Sequence, residues 1–358
     1  MTADRTVRRV LAVASLAVVG ACQDAPPVAP TATPTPRAAQ AQDRLEALFQ
    51  KASPEVMALP GTVFADNDEV AGRLVFGVEH AGAIKGVENA LARLGIARSD
   101  YAVEITKPIH FAATLRDRFR PTRAGTQIHF GQYVCTLGFN VSHAAGRSFI
   151  TNSHCTNTQG GTEGTTYAQP TRTIDPTVIA TEAADPAYVK GGSSCPRGKR
   201  CRHSDASRAL YSSSVASNRG EIAQTTGANN GSLTISSTTP LFTITSQDNS
   251  TKSFAVGTTV NKVGRTTGWT RGKVTRTCAN TSVSGSTVYL YCQTFVSDPG
   301  GATVVGGGDS GSPVFTVTSG SSVKLVGILW GGSSDNKLFV FSPLASIQQE
   351  LGAVTATK

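Results

Sequence analysis

Gly307-Gly308-Asp309-Ser310-Gly311-Ser312-Pro313 is the stretch from which the rest of the chain can be read. A serine flanked by glycines on a tight loop exposes its hydroxyl and leaves backbone N–H groups free. Those of Gly308 and Ser310 can point at one spot and stabilise an oxyanion. A glycine-rich turn without chemistry looks the same in isolation, so the motif needs partners. Upstream, the strand-like run Ser148-Phe149-Ile150-Thr151 leads into Asn152-Ser153-His154-Cys155. Cys155 can staple this loop back to Cys135, and an imidazole fixed in that way suits a general base. Between the two lies Arg202-His203-Ser204-Asp205-Ala206-Ser207-Arg208-Ala209-Leu210. Asp205 opens a semi-apolar run, where a buried carboxylate could hold the second nitrogen of the imidazole. Each stretch alone is a weak signal. The three together, in the order His154, Asp205, Ser310, are far more specific.

The surrounding sequence favours strands. Glycine accounts for 36 of 358 residues and the second half is dense in Ser and Thr, which suits short strands and tight turns over long helices. Short apolar runs separated by turns recur at Tyr133–Val141, Ser148–Thr151, Thr177–Ala180, Gly220–Ala223, Leu241–Ile244, Thr259–Val263, Ser312–Val317, Lys324–Trp330 and Leu338–Phe341. So many strands without helices between them predict an all-β sandwich or barrel. Lys273–Thr277 and Thr287–Gln293 read as a hairpin. Pro343–Leu351 reads as a closing helix, with Leu344, Ile347 and Leu351 three and four apart.

From about Thr126 to Leu351 the chain resembles chymotrypsin-like serine peptidases of the bacterial secreted branch. The resemblance rests on Cys135–Val141, Thr151–Cys155, Ser204–Asp205, Gly308–Pro313 and Gly327-Ile328-Leu329-Trp330-Gly331-Gly332. It implies an all-β, double six-stranded β-barrel with a short C-terminal helix, preceded by a small α/β pro-segment. It also implies Ser310 as nucleophile, His154 as base, Asp205 as its orienting carboxylate, and Gly308 and Ser310 as the oxyanion hole. Val304, Val305, Gly306, Leu329, Trp330 and Gly331 would contact substrate. No carboxylate stands at Val304, so cleavage after apolar or aromatic residues is expected. Three departures stand out: Asn152-Ser153 before the histidine, Ser312 where glycine is usual, and Leu329 where a serine often hydrogen-bonds the triad aspartate. The chemistry requires no cofactor and no metal. Substrates would be proteins or peptides, and the pro-segment an intramolecular partner that assists folding and blocks the cleft.

The remaining organisation fits an exported precursor. Arg5, Arg8 and Arg9 precede the apolar run Val10–Val19, too short to span a membrane comfortably, and Val19-Gly20-Ala21-Cys22 resembles a lipobox. Residues 1–22 read as a signal peptide with Cys22 as a lipidation site, and 23–41 as a Pro/Ala/Thr-rich linker. Residues 42–123 read as an α/β pro-segment. Within it Asp43–Lys51 and Gly86–Leu94 have helical spacing, Leu74–Val78 and Ala102–Ile105 are strand-like, and Thr114–Phe119 has the look of a helical turn. Arg118, Arg120 and Arg123 around Pro121 mark an exposed linker with a processing site near Arg123, leaving 124–358 as the peptidase domain. An oxidising compartment makes disulfides of the cysteines, and nearest-neighbour pairing gives Cys135–Cys155, Cys195–Cys201 and Cys278–Cys292. The rival is a zinc site at Cys195, Cys201 and His203, whose spacing is unlike a cysteine knuckle. Arg197, Lys199, Arg200 and Arg202 read as a solvated loop. A net charge of +9 without a long basic run, and with 6% aromatic residues, argues against a nucleic-acid reader. The expected product is a monomeric, extracellular or lipid-anchored serine endopeptidase, touching membrane only through its anchor. Two rivals are an inactive peptidase-fold binding module of the cell envelope and a related hydrolase acting on esters.

Overall fold

The computed structural model describes residues 36–109 and 111–358, so the leader 1–22, with Cys22, and the linker up to residue 35 lie outside the described residues. The chain divides into two compact units at Ile109/His110. In the first, the helix Pro36–Met57 precedes the strands Thr62–Asp68 and Arg73–Val78, the helix Ala81–Arg93 and the strand Tyr101–Ile105. The first two strands are antiparallel. The second and third are parallel, as a helical crossover between strands requires. Val87 and Leu91, one helical turn apart, are buried with Leu74, Phe76 and Val78 in the core of this unit. The strand–helix–strand reading therefore holds. The first helix is much longer than Asp43–Lys51 and begins inside the stretch expected to be linker.

The second unit is built from β-strands. Six of them form a ring: Thr259–Gly264, Gly268–Ser282, Val288–Ser297, Leu338–Pro343, Ser322–Gly332 and Pro313–Ser319, which pairs back to Thr259–Gly264. Such closure removes the exposed strand edge. Alternation drives it. In the strand that starts at Gly268, Thr270 and Val274 point in and are buried, while Arg271 and Lys273 point out. Val260, Val274, Val314, Val326, Leu329 and Phe341 fill the interior.

The first half of this unit departs from a six-stranded ladder. It holds a five-stranded sheet in the order Phe139–His143, Gly146–Thr151, Ser207–Tyr211, Ala180–Ala184, Thr166–Tyr167. The separate hairpin Gln127–Phe130/Tyr133–Thr136 joins it through the bridge between His129 and Ala168. Phe139 and Ile150 from this half and Phe315 and Ile328 from the other share one buried cluster, closed by Leu344, Ile347 and Leu351 of the C-terminal helix Leu344–Leu351. That shared core fixes the two halves against each other. The strand expected at Thr177–Ala180 starts at Ala180 instead.

Two expectations near the start of the unit are overturned. Thr114–Phe119 is a turn rather than a helix, stapled by the Thr114 N–H donating to the Asp117 carboxylate at 2.7 Å. The basic stretch is not a free linker. Leu115 is wholly buried, and Thr122–Ala124 is a strand paired with Ser217–Ala223. Arg118 and Arg120 both bind Asp175, at 2.5 and 3.0 Å. Hydrogen bonds from Thr177 and Arg118 hold that carboxyl well below the usual range. Folded structure of the second unit thus begins upstream of Arg123.

All three expected disulfides are formed, Cys135–Cys155, Cys195–Cys201 and Cys278–Cys292. Cys195 and Cys201 are thereby unavailable to zinc.

Candidate active site

His154 sits on a single 3-10 turn, Ser153–Cys155, directly after the strand Gly146–Thr151. The Cys155–Cys135 disulfide and the bond from Tyr167 Oη to the Cys155 carbonyl at 3.0 Å fix this turn. Asp205 precedes the neighbouring strand Ser207–Tyr211, which pairs with Gly146–Thr151. The pairing places the two residues side by side. His154 Nδ1 bonds Asp205 Oδ2, and the His154 backbone N–H donates to Oδ1 at 3.2 Å. Asp205 is 2% exposed. Burial pulls the imidazole toward neutrality, but the charge and hydrogen bond of Asp205 outweigh it, so His154 lies above its ordinary value. Burial also pushes the Asp205 carboxyl up, and His154, with Arg202 and the Gln159 hydrogen bond, outweighs it, so Asp205 lies below its own.

Ser310 reaches the same place from the other half. His154, Gly308 and Ser310 line one cavity of about 290 Å³, walled by Phe130, Tyr133 and the Cys135 strand. Its loop is tied across the halves by Thr136, whose N–H donates to the Ser310 carbonyl at 2.8 Å and whose hydroxyl donates to the Gly308 carbonyl at 2.9 Å. Gly311 has φ +92°, and a Cβ there would lie 2.1 Å from the Thr136 carbonyl oxygen, so only glycine lets the two segments meet.

The peptide planes of the loop are set by their carbonyls. That of Gly307 accepts Thr266 Oγ1 at 2.6 Å, and that of Asp309 accepts Ser312 N at 2.9 Å and Ser312 Oγ at 2.5 Å. In a trans peptide the N–H points opposite to the C=O. The Gly308 and Ser310 N–H groups are therefore turned away from these anchors. Among the described residues neither donates to a backbone or side-chain acceptor, whereas Asp309, Gly311 and Ser312 N–H all do. Ser312, a departure from the family pattern, supplies one of the anchors.

Several supporting contacts gave no signal in the sequence. Asp309 is wholly buried and accepts Thr266 N, Thr267 N, Thr267 Oγ1, Gly306 N and Lys262 Nζ. Lys262 is itself fully buried, so the partner of this carboxylate is an internal cation. Asn152 is also buried, and its amide donates to the Asp205 carbonyl at 2.7 Å. Arg202, expected in solvent, is 3% exposed. It binds Asp185 at 2.6 Å and Glu350 at 3.2 Å. An internal cation or amide is recognisable only once folding has shown what it faces.

Two further cavities flank Ser310 and His154. Val305, Gly306, Leu329, Gly331 and Gly332 line one of about 190 Å³ beside Ser310, with Ser333 and Asn336 and no charged side chain. Val304 does not reach it. That residue is wholly buried in the barrel interior, its carbonyl taken by Thr270 Oγ1 at 2.9 Å. Trp330 lines the other cavity, about 700 Å³, together with His154, Asp205 and the apolar Val283, Leu290, Phe295 and Val340. Successive strand residues face opposite sides. Trp330 thus shares its cavity with His154 and Asp205, whereas Leu329 lines the one beside Ser310 and, standing where the resemblance places a serine, has no hydroxyl to offer Asp205.

No protein-family model and no curated protein matches the sequence. Solved structures are similar over about two thirds of the chain. A glutamic acid-specific serine protease that uses a histidine triad in substrate binding shares 22% identity over 66% of this chain and 100% of its own, with a TM-score of 0.45. Thermobifida fusca Protease A shares 22% over 66% and 98%, with a TM-score of 0.44. A Cellulomonas bogoriensis chymotrypsin shares 21% over 66% and 98%, with a TM-score of 0.42. The chain resembles bacterial chymotrypsin-like serine proteases. At these identities the likeness is one of fold, and the roles of individual side chains rest on the geometry above.

Proposed function

We propose that the chain is a serine endopeptidase working through His154, Asp205 and Ser310. The observation that carries this reading is the imidazole of His154, hydrogen-bonded to a buried carboxylate and sharing one cavity with Ser310. In the proposed cycle His154 Nε2 takes the proton of Ser310 Oγ as that oxygen attacks the substrate carbonyl. Asp205 holds the Nδ1–H and balances the imidazolium. The Gly308 and Ser310 N–H groups receive the oxyanion. His154 then gives its proton to the leaving amine, and a water activated by the same imidazole releases the acyl group.

The uncharged cavity beside Ser310 supports selection of an apolar or aromatic residue on the acyl side of the cut. Trp330 and Gly331 would pair with an extended substrate as an added strand. Residues 42–109 suit a pro-segment that folds separately and assists the rest, with cleavage upstream of Leu115 because that residue is already buried in the second unit. Export is supported by the three disulfides, which belong to an oxidising compartment. Lipid anchoring at Cys22 is part of the proposal, and no helix among the described residues is long and apolar enough to cross a membrane.

The test is fluorophosphonate labelling of the full chain and its mature form, read by peptide mass, with Ser310→Ala alongside. A single adduct on Ser310, lost in the variant, is expected. An unlabelled but folded and disulfide-intact mature chain would turn the reading toward an inactive binding module.

A further inference from the structure

Asp205 has two carboxylate oxygens, and His154 occupies one with its ring. The other, Oδ1, is held by two side chains that no motif marks. Gln159 Nε2 donates to it at 3.2 Å and Tyr188 Oη at 3.3 Å, and Gln159 Nε2 also donates to Tyr188 Oη at 2.9 Å. Both residues are in turn held by the basic strand Arg200–Arg202, which closes the Cys195–Cys201 loop. Arg200 donates to the Gln159 side-chain oxygen at 3.0 Å and to its backbone carbonyl at 3.3 Å. The guanidiniums of Arg200 and Arg202 lie over the Tyr188 ring, 4.8 and 5.0 Å from its centroid. The backbone beside the ring is fitted to it: Gly160 has φ +82°, and a Cβ there would lie 2.4 Å from Tyr188 Cδ2.

We propose that Tyr188 and Gln159 are positioning residues for the triad carboxylate, clamped by Arg200 and Arg202, and that they take the place of the serine hydroxyl this chain lacks. The inference rests on the roles of His154, Asp205 and Ser310 given above. With Oδ1 satisfied by neutral donors, Oδ2 stays aimed at Nδ1, and the negative charge is spread rather than concentrated on the imidazole. The charged groups around this carboxylate are His154 and Arg202, and beyond them Arg200, Asp185 and Glu350.

The experiment is an NMR titration of the His154 ring in the full chain, its Tyr188→Phe variant and its Gln159→Met variant, with peptide turnover measured beside it. Phenylalanine keeps the ring under both guanidiniums and removes only the hydroxyl. Each variant should titrate His154 at higher pH than the wild type, because fewer donors share the carboxylate's charge. Each should also lose about tenfold in kcat with KM unchanged, the worth of one hydrogen bond to a charged group. His154 midpoints at the wild-type value in whichever variant folds would overturn the proposal. Failure of the wild type to label at Ser310 would overturn the peptidase reading instead, and the titration would still decide the positioning role.

Discussion

Lys262 Nζ lies 3.0 Å from Asp309 Oδ2, and both side chains are wholly buried. Asp309 immediately precedes Ser310, so this ion pair fixes the loop that carries Ser310 and the free N–H groups of Gly308 and Ser310. Breaking a buried pair leaves an uncompensated charge, at a cost of about 3–5 kcal/mol. Lys262→Met should therefore lower unfolding stability by that amount in urea. It should also slow fluorophosphonate labelling of whatever fraction remains folded, since Asp309 would swing toward solvent and take the Gly308–Ser310 backbone with it. A variant labelled at the wild-type rate would show that the loop holds its shape without the pair.

The pH dependence follows from the His154–Asp205 pair. His154 lies above its ordinary value, with burial opposed and outweighed by Asp205. The neutral base predominates only above that raised midpoint, so kcat/KM should rise with pH and level off. The stability contribution runs the other way. The fold favours the imidazolium, an advantage complete below the unfolded pKa and lost as pH rises through the folded one. Asp205, lowered in the fold, contributes above its unfolded pKa and loses that contribution as pH falls through the folded one. Asp205→Asn removes the charge that raises His154, so the acid limb should move to lower pH while kcat falls on the order of 10⁴-fold. A profile flat from about pH 5 to 9 would remove His154 as the base.

Much of this arrangement was legible in the chain. His154, Asp205 and Ser310 each lie in or beside a short local motif, and the disulfides follow from cysteines close in sequence. What could not be read is non-local. Arg202 looks like one more cation on a basic loop until Asp185, Tyr188 and the C-terminal Glu350 close around it. Lys262 looks like an ordinary polar position in a short strand-like run and meets Asp309 only through pairing of the strands Thr259–Gly264 and Pro313–Ser319. Which of the two cavities Leu329 and Trp330 each line has the same origin. Side-chain direction in a strand has a period of two, and a bulge between Leu329 and Gly331 obscures its phase.

Specificity should be read from the cavity lined by Val305 and Leu329. Without a carboxylate in it, a lysine or arginine side chain would lose hydration and gain no partner. Reporter peptides ending in Phe or Leu at the cut should therefore be cleaved far faster than Lys or Arg reporters. Leu329→Ala, which widens the same cavity, should shift preference toward the larger of the two apolar residues. A Lys or Arg preference in the wild type would mean that this cavity does not hold the residue before the cut.

Glu350, in the last turn of the C-terminal helix, binds the far side of the Asp205 loop. Its carboxylate accepts His203 N at 2.6 Å, Ser204 N at 3.1 Å and Ser204 Oγ at 2.5 Å, and it pairs with Arg202 at 3.2 Å. Glu350→Ala leaves those donors unpaired and Arg202 with one carboxylate fewer, at a cost of about 2–4 kcal/mol. Glu350→Gln keeps one acceptor oxygen and should cost less. If the helix anchors the catalytic loop, amide exchange at His203 and Ser204 should rise in both variants, more in Ala than in Gln, while the Ser310 loop exchanges as before. Unchanged protection at His203 and Ser204 would mean that the Arg202–Asp185 pair and the Asn152 amide hold the loop without help from the C-terminus.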